Sequence, residues 1–144
     1  MRARKQQGMM LIEVLVTFVI VSFGLLGVAG VILNSLKVND SSYARAQATW
    51  LASDIIDRMR ANRGAAEAAA LPYNVAIGGT PNTTGVPQTD LTEWLSALAT
   101  TLPAGKGSVN IAAATKKVTV VVQWDDSRAV AGNSQQQFAI ETRL

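Results

Sequence analysis

Few residues of this chain could carry covalent chemistry. Its 144 residues include no Cys and no His, which excludes disulfides, thiolate or imidazole metal ligation, and triads built on an imidazole base. Three groupings of ionisable residues remain. Asp125-Asp126 is an adjacent carboxylate pair opening a polar loop. Neighbouring strand residues point to opposite faces, so turn chemistry is expected there rather than a paired acid and base or a calcium ligand. Arg58, Arg60 and Arg63 lie in the phrase LASDIIDRMRANR. Arg58 and Arg60 are about 200° apart on a helix, and the interleaved acids cancel the field that a phosphate backbone needs. The spacing predicts an i,i+4 pair of Asp54 with Arg58 and an i,i+3 pair of Asp57 with Arg60, and no nucleic-acid partner. Gly78-Gly79 lacks the Gly-Lys-Ser/Thr of a phosphate loop. No catalytic residue, cofactor site or metal site is expected, and the composition points to binding or structure rather than catalysis.

The third grouping is Glu13 in its surroundings. From Val14 to Leu33 the chain runs VLVTFVIVSFGLLGVAGVIL, 20 residues without a charge. As a helix this run is about 30 Å long, the thickness of a bilayer core. Arg2, Arg4 and Lys5 precede it without an acid, which keeps a short N-terminus cytoplasmic and sends the remainder outward. A cleaved secretory signal, with Val28-Ala29-Gly30 as cleavage site, and a plain single-span anchor both fit the apolar run. Neither accounts for Glu13. A carboxylate in an apolar helix costs roughly 2.5–3.5 kcal/mol unless it lies at the membrane interface or finds a partner.

The order Gly8-Met9-Met10-Leu11-Ile12-Glu13, after a basic leader and before a long apolar run, resembles the class III signal of type IV prepilins and pseudopilins. The resemblance implies that a prepilin peptidase cuts between Gly8 and Met9 and methylates the new amine, with Met9 standing where Phe is usual. It also implies that Glu13 is the fifth mature residue. An ammonium at Met9 then calls for a carboxylate on a neighbouring subunit, and such a pair fixes the axial register between helices. Ala48, Leu51, Ala52, Asp54, Ile55, Asp57, Arg58, Met59, Arg60, Ala61, Asn62 and Arg63 fit a phrase that recurs in PilV-type minor pilins. The segments WDDSR and FAIETRL resemble the C-terminal hairpin of that type. Two departures from major pilins stand out: Gly30 occupies a position where Pro is frequent, and the C-terminal Cys pair is absent.

These groups need elements to position them. No Pro precedes Pro72, so one helix is expected from Met9 to Arg63, roughly 80 Å if continuous. Residues 9–33 form its transmembrane half and 34–63 an amphipathic half, with Leu36, Tyr43 and Trp50 recurring and Leu51, Ile55 and Met59 at i, i+4, i+8. Arg58, Arg60 and Arg63 before Gly64 suit the helix C-terminus. Residues 64–89 read as a surface connector rich in turn residues. Asp90-Leu91-Thr92-Glu93 reads as an N-cap with its capping-box Glu, followed by Leu91, Trp94, Leu95, Leu98 and Leu102 at helical spacing up to Pro103. Trp94 is expected in the core. Strands are expected over Ser108–Ala113, Lys117–Trp124 and Gln136–Arg143.

The fold expected is therefore α+β: a long N-terminal helix, membrane-spanning and then amphipathic, packed on a small antiparallel sheet. Residues 1–8 form a cleaved leader and residues 64–144 the connector, short helix and sheet. The resemblance implies a minor pilin of a Gram-negative bacterium that helps to prime type IV pilus assembly near the tip. Its partners would be the prepilin peptidase, other minor pilins, the major pilin, the inner-membrane assembly platform and a tip adhesin. The chain would span the inner membrane once with its head in the periplasm, and reach the cell surface in the pilus. A minor pseudopilin of type II secretion, and a stand-alone membrane-anchored adhesin or enzyme, are the alternatives. The net charge of +3 resides in Arg2, Arg4 and Lys5, and the rest of the chain carries ten basic and ten acidic side chains.

Overall fold

The computed structural model describes residues 9–144, with side-chain surroundings from Leu11 onward. Helix α1 runs unbroken over Met9–Ala61, a short α2 follows at Arg63–Ala66, and α3 spans Val86–Thr101. Strands β1 (Lys106–Ala112), β2 (Lys117–Trp124) and β3 (Gln136–Arg143) form one antiparallel sheet in the order β1-β2-β3. The layout is α+β, with a long apolar N-terminal helix leading into a small sheet.

Between Leu11 and Asp40 every residue of α1 is exposed, a bare rod about 45 Å long at the helical rise. Burial begins with Ser41 and Ala44, half covered, and becomes complete at Ala48, Leu51, Ala52, Ile55 and Met59. These five recur every three or four residues, so one stripe of the helix meets the head. The helix stops two residues earlier than its arginines suggest. The Asn62 side chain turns away to donate through Nδ2 to the Tyr73 hydroxyl oxygen at 3.0 Å, and Asn62 leaves the helical conformation (φ −113°, ψ 44°). Gly64 lies inside α2 rather than beyond a helix end.

Alternation along the strands builds the opposite wall. Val118, Val120, Val122 and Trp124 of β2 are buried, as are Val109 and Ile111 of β1. Phe138 and Ile140 of β3 stand beside Val122 and Val120 in register but are only half covered. Helix α3 closes the core with Leu91, Trp94 and Leu98. It begins four residues before the expected cap. Gly85 takes the left-handed conformation (φ 73°) as N-cap, and Pro87 sits in the first turn, where its missing N–H costs nothing. Asp90 and Glu93 are thus interior helix positions, freed for tertiary contacts. The first strand starts at Lys106 rather than Ser108; β2 and β3 have the expected bounds.

The connector is more than a surface loop. Tyr73 and Val75 are buried, and Val75 pairs with Val109 through two backbone hydrogen bonds of 2.9 Å. On the β1 side, Gly107 lies under the Trp94 ring: a Cβ there would overlap that ring and a Leu98 methyl. Gly107→Ala is therefore expected to cost about 1–3 kcal/mol by overpacking. Urea unfolding of the full-length chain in detergent checks this, and an unchanged midpoint would contradict the close approach.

Candidate functional site

The residues that could do chemistry fall into three places, and the fold does not bring those places together. The first is the start of α1. Glu13 lies on the exposed rod beside Val14, Thr17, Phe18 and Val21, which form an apolar groove on the helix surface. Thr17 and Ser22 turn their hydroxyls inward, donating to the carbonyls of Glu13 and Phe18 at 2.7 Å. These hydroxyls are satisfied within the helix, and among the described residues the Glu13 carboxylate has no hydrogen-bond or ion-pair partner. The helix is long and apolar enough to cross a membrane. Gly8 and the basic leader lie outside the described residues. Met9 is the first described residue of α1, and its expected cleavage and methylation concern an amine next to that boundary.

The second place is the top of α1, where the arginine phrase meets α3. Arg58 donates to Asp54 at 3.0 Å and to Glu93 at 2.7 Å, and lies 3.6 Å from Asp90. Arg60 pairs with Asp57 at 3.0 Å and Arg63 pairs with Glu67. Both intrahelical pairs read from the sequence are present. The contacts of Arg58 with Asp90 and Glu93 are additional, and follow from the early start of α3. Each arginine of the phrase has a carboxylate partner, so the cluster clasps two helices.

Tyr73 belongs to this clasp. Its hydroxyl donates to Asp90 at 2.6 Å while accepting from Asn62. Burial, reinforced by the Asp90 carboxylate, pushes the phenol from its ordinary value near 10 up to about 12. The folded state thus favours the neutral phenol. Its contribution is whole below the unfolded value near 10 and drains away as the pH rises through about 12. Unfolding free energy is expected to fall by about 1.4 kcal/mol per pH unit across that window. Tyr73→Phe should remove this slope while costing about 1 kcal/mol at neutral pH. Denaturant titrations at a series of alkaline pH values measure both quantities, and an unchanged slope in the variant would refute the assignment.

The third place is the loop after β2. Asp125 accepts the Ser127 N–H at 2.9 Å, which holds its carboxyl below the ordinary range. Asp126 is buried and accepts the Ser41 hydroxyl of α1 at 2.7 Å. The two carboxylates therefore separate: one shapes a turn as expected, and the other ties the loop to the helix. Among the described residues no three acidic side chains converge on a point that would hold a metal ion.

One face of α1 departs from the sequence expectation. Leu36, Tyr43 and Trp50 are 53%, 65% and 65% exposed, whereas Leu51, Ile55 and Met59 are buried. At 100° per residue Trp50 lies about 180° from Met59. The seven-residue spacing thus marks a second apolar stripe on the far side of the helix, not an extension of the core face. Comparison with protein-family models, with curated proteins and with solved structures gives no match to this chain. The functional reading consequently rests on the chain's own residues.

Proposed function

We propose that this chain is a minor subunit of a type IV pilus, resembling the PilV type, and that it works by assembly rather than by catalysis. One observation carries the reading. A single unbroken helix holds Glu13 as the sole charge of residues 11–33, stays bare for about 45 Å, and only then enters a folded head. A soluble protein gains nothing from such a rod, because its exposed Leu, Val, Ile and Phe side chains forgo the roughly 1.5–3 kcal/mol each that burial supplies. Lipid and then the helices of other subunits are environments that would cover it.

In this account the peptidase removes residues 1–8 and methylates the Met9 amine. The subunit waits in the inner membrane on residues 9–33 with its head in the periplasm. Helix α1 then packs among those of the other minor pilins and the major pilin, with Glu13 matched to a neighbouring Met9 amine. Assembly is primed from the membrane platform, and the finished subunit sits near the pilus tip, where an adhesin can be carried. The core of the head begins at Ala48 and takes no side chain from the rod below Ser41.

Deletion of the gene should leave cells with few surface pili and defective twitching, restored by the wild-type chain. A Gly8→Ala chain should accumulate uncut and fail to restore them. Normal piliation in the deletion strain, together with loss of protein secretion, would favour the pseudopilin of a type II system. Restoration by a chain that lacks the leader and Glu13 would favour a stand-alone anchored protein.

A further inference from the structure

We propose that the cavity between α1 and the β2–β3 loop holds the headgroup of a membrane phospholipid that carries both a phosphate and a primary ammonium. The cavity has a volume of about 640 Å³. Helix α1 lines it with Lys37, Asp40 and Ala44, spaced i, i+3 and i+7 on one face, and the loop lines it with Asp125 and Arg128. Ser41 and Asp126, joined by their 2.7 Å hydrogen bond, also line it and hold the loop against the helix.

Charge is the first observation. At the top of α1 each arginine has a carboxylate partner. Lys37, Asp40 and Arg128, all exposed around the cavity, form no ion pair among the described residues. Two cations and the carboxylates of Asp40 and Asp125 therefore line one space without cancelling in pairs. A phosphate suits Lys37 and Arg128, and an ammonium suits Asp40 and Asp125. A purely anionic headgroup would satisfy the cations but meet the repulsion of Asp40, Asp125 and the buried Asp126. A trimethylated ammonium has no N–H to donate to the carboxylates.

Position supplies the second observation and names the source of the ligand, a step that rests on reading α1 as a membrane anchor. Lys37 is the first charge after Glu13, so the hydrocarbon layer ends at or before it. Asp40 and Ala44 stand about 5 and 11 Å farther along the helix. The polar layer of a bilayer adds roughly 5–8 Å beyond its hydrocarbon, and long Lys and Arg side chains reach toward it from above. Burial of α1 begins at Ser41, so the loop that packs there meets the helix where the head begins. The cavity thus stands at headgroup level. A bound headgroup would set the height of the head on the membrane before assembly.

The test offers the full-length chain in detergent equal amounts of phosphatidylethanolamine, phosphatidylglycerol and phosphatidylcholine, and counts retained lipids by native mass spectrometry. The wild-type chain is expected to retain one phosphatidylethanolamine about tenfold in preference to either competitor. Asp40→Asn is expected to erase the preference over phosphatidylglycerol. Lys37→Gln combined with Arg128→Gln is expected to lower phosphatidylethanolamine to the level of phosphatidylcholine. Unchanged hydrogen exchange of the β2 amides shows that the variants are folded; should the double variant disturb them, Lys37→Gln alone, on the bare part of α1, takes its place. Equal retention of the three lipids, a preference for phosphatidylglycerol, or an unchanged preference in the folded variants would each overturn the proposal. So would displacement of the lipid by an equal concentration of free phosphoethanolamine, which would make the ligand a solute. Flotation with vesicles of phosphatidylcholine alone tests the anchor separately, and its loss would overturn the anchor and this proposal together. No arm involves pili, so this result and the piliation result can fail independently.

Discussion

Trp94→Ala is expected to destabilise the head by about 3–5 kcal/mol, which is the range for truncating a buried aromatic without refilling its space. The side chain is fully buried and touches three elements at once. It projects from α3, its Nε1 donates to the Leu51 carbonyl of α1 at 2.8 Å, and its ring lies over Gly107 of β1. The Leu51 contact uses a second lone pair on a carbonyl within the helix, so it fixes α3 against α1 without breaking the helix ladder. Trp94→Phe keeps most of the apolar volume and should lose only about 1–2 kcal/mol, mainly the hydrogen bond. Exchange of the β2 amides in the full-length chain reports this stability, since those residues lie at the centre of the sheet. A loss below about 1 kcal/mol for Trp94→Ala would mean that the core closes without the ring, and would contradict its placement as the tie between helices and sheet.

Glu13→Val is the second large effect, and it acts in opposite directions on two stages. In the isolated membrane-bound subunit it removes a carboxylate that costs roughly 2.5–3.5 kcal/mol in apolar surroundings, so the amount of processed chain in the membrane should hold or rise. In the filament proposed above it would strip a neighbouring Met9 ammonium of its partner. Breaking a buried pair in this way costs about 3–5 kcal/mol, roughly two to three and a half decades in association. Processing should proceed while surface pili fall sharply. Glu13→Asp, which keeps the charge on a shorter arm, should recover part of the loss. The groove of Val14, Thr17, Phe18 and Val21 beside Glu13 offers no internal substitute for that charge. Unchanged piliation with Glu13→Val would show that the carboxylate merely sits at the interface.

Much of this architecture is readable from residue types alone. The chargeless run and the absence of Pro before Pro72 announce α1, and Val118, Val120, Val122 and Trp124 in alternation announce β2. Both ion pairs inside the arginine phrase follow from helical spacing. Where the reading missed, two explanations competed locally and tertiary contacts decided. Trp50 adjoins Leu51, and a seven-residue recurrence looks like one amphipathic face until the core fixes which side is inward. Gly85-Val86-Pro87 has the composition of a turn and also suits a helix start, because a left-handed Gly and a first-turn Pro are tolerated there. Asp90 reads as a cap in sequence because Asp is a strong capping residue. Instead its carboxylate serves Tyr73 and lies near Arg58. Tyr73 itself carried only a weak signal, as one aromatic in a segment rich in turn residues, and nothing nearby in sequence shows that its partners are Asn62 and Asp90. The tie between Ser41 and Asp126 spans 85 positions and has no local signature. Glu13 is legible in sequence because its spacing is local and its cost in an apolar helix is large.

In the proposed function the chain becomes a processed subunit of a surface filament. Intact-mass measurement of the chain recovered from filaments sheared off the cell surface tests it most directly. The account predicts a species that begins at N-methylated Met9 and lacks residues 1–8. A chain that retains Met1 and stays in the membrane fraction of well-piliated cells would contradict it.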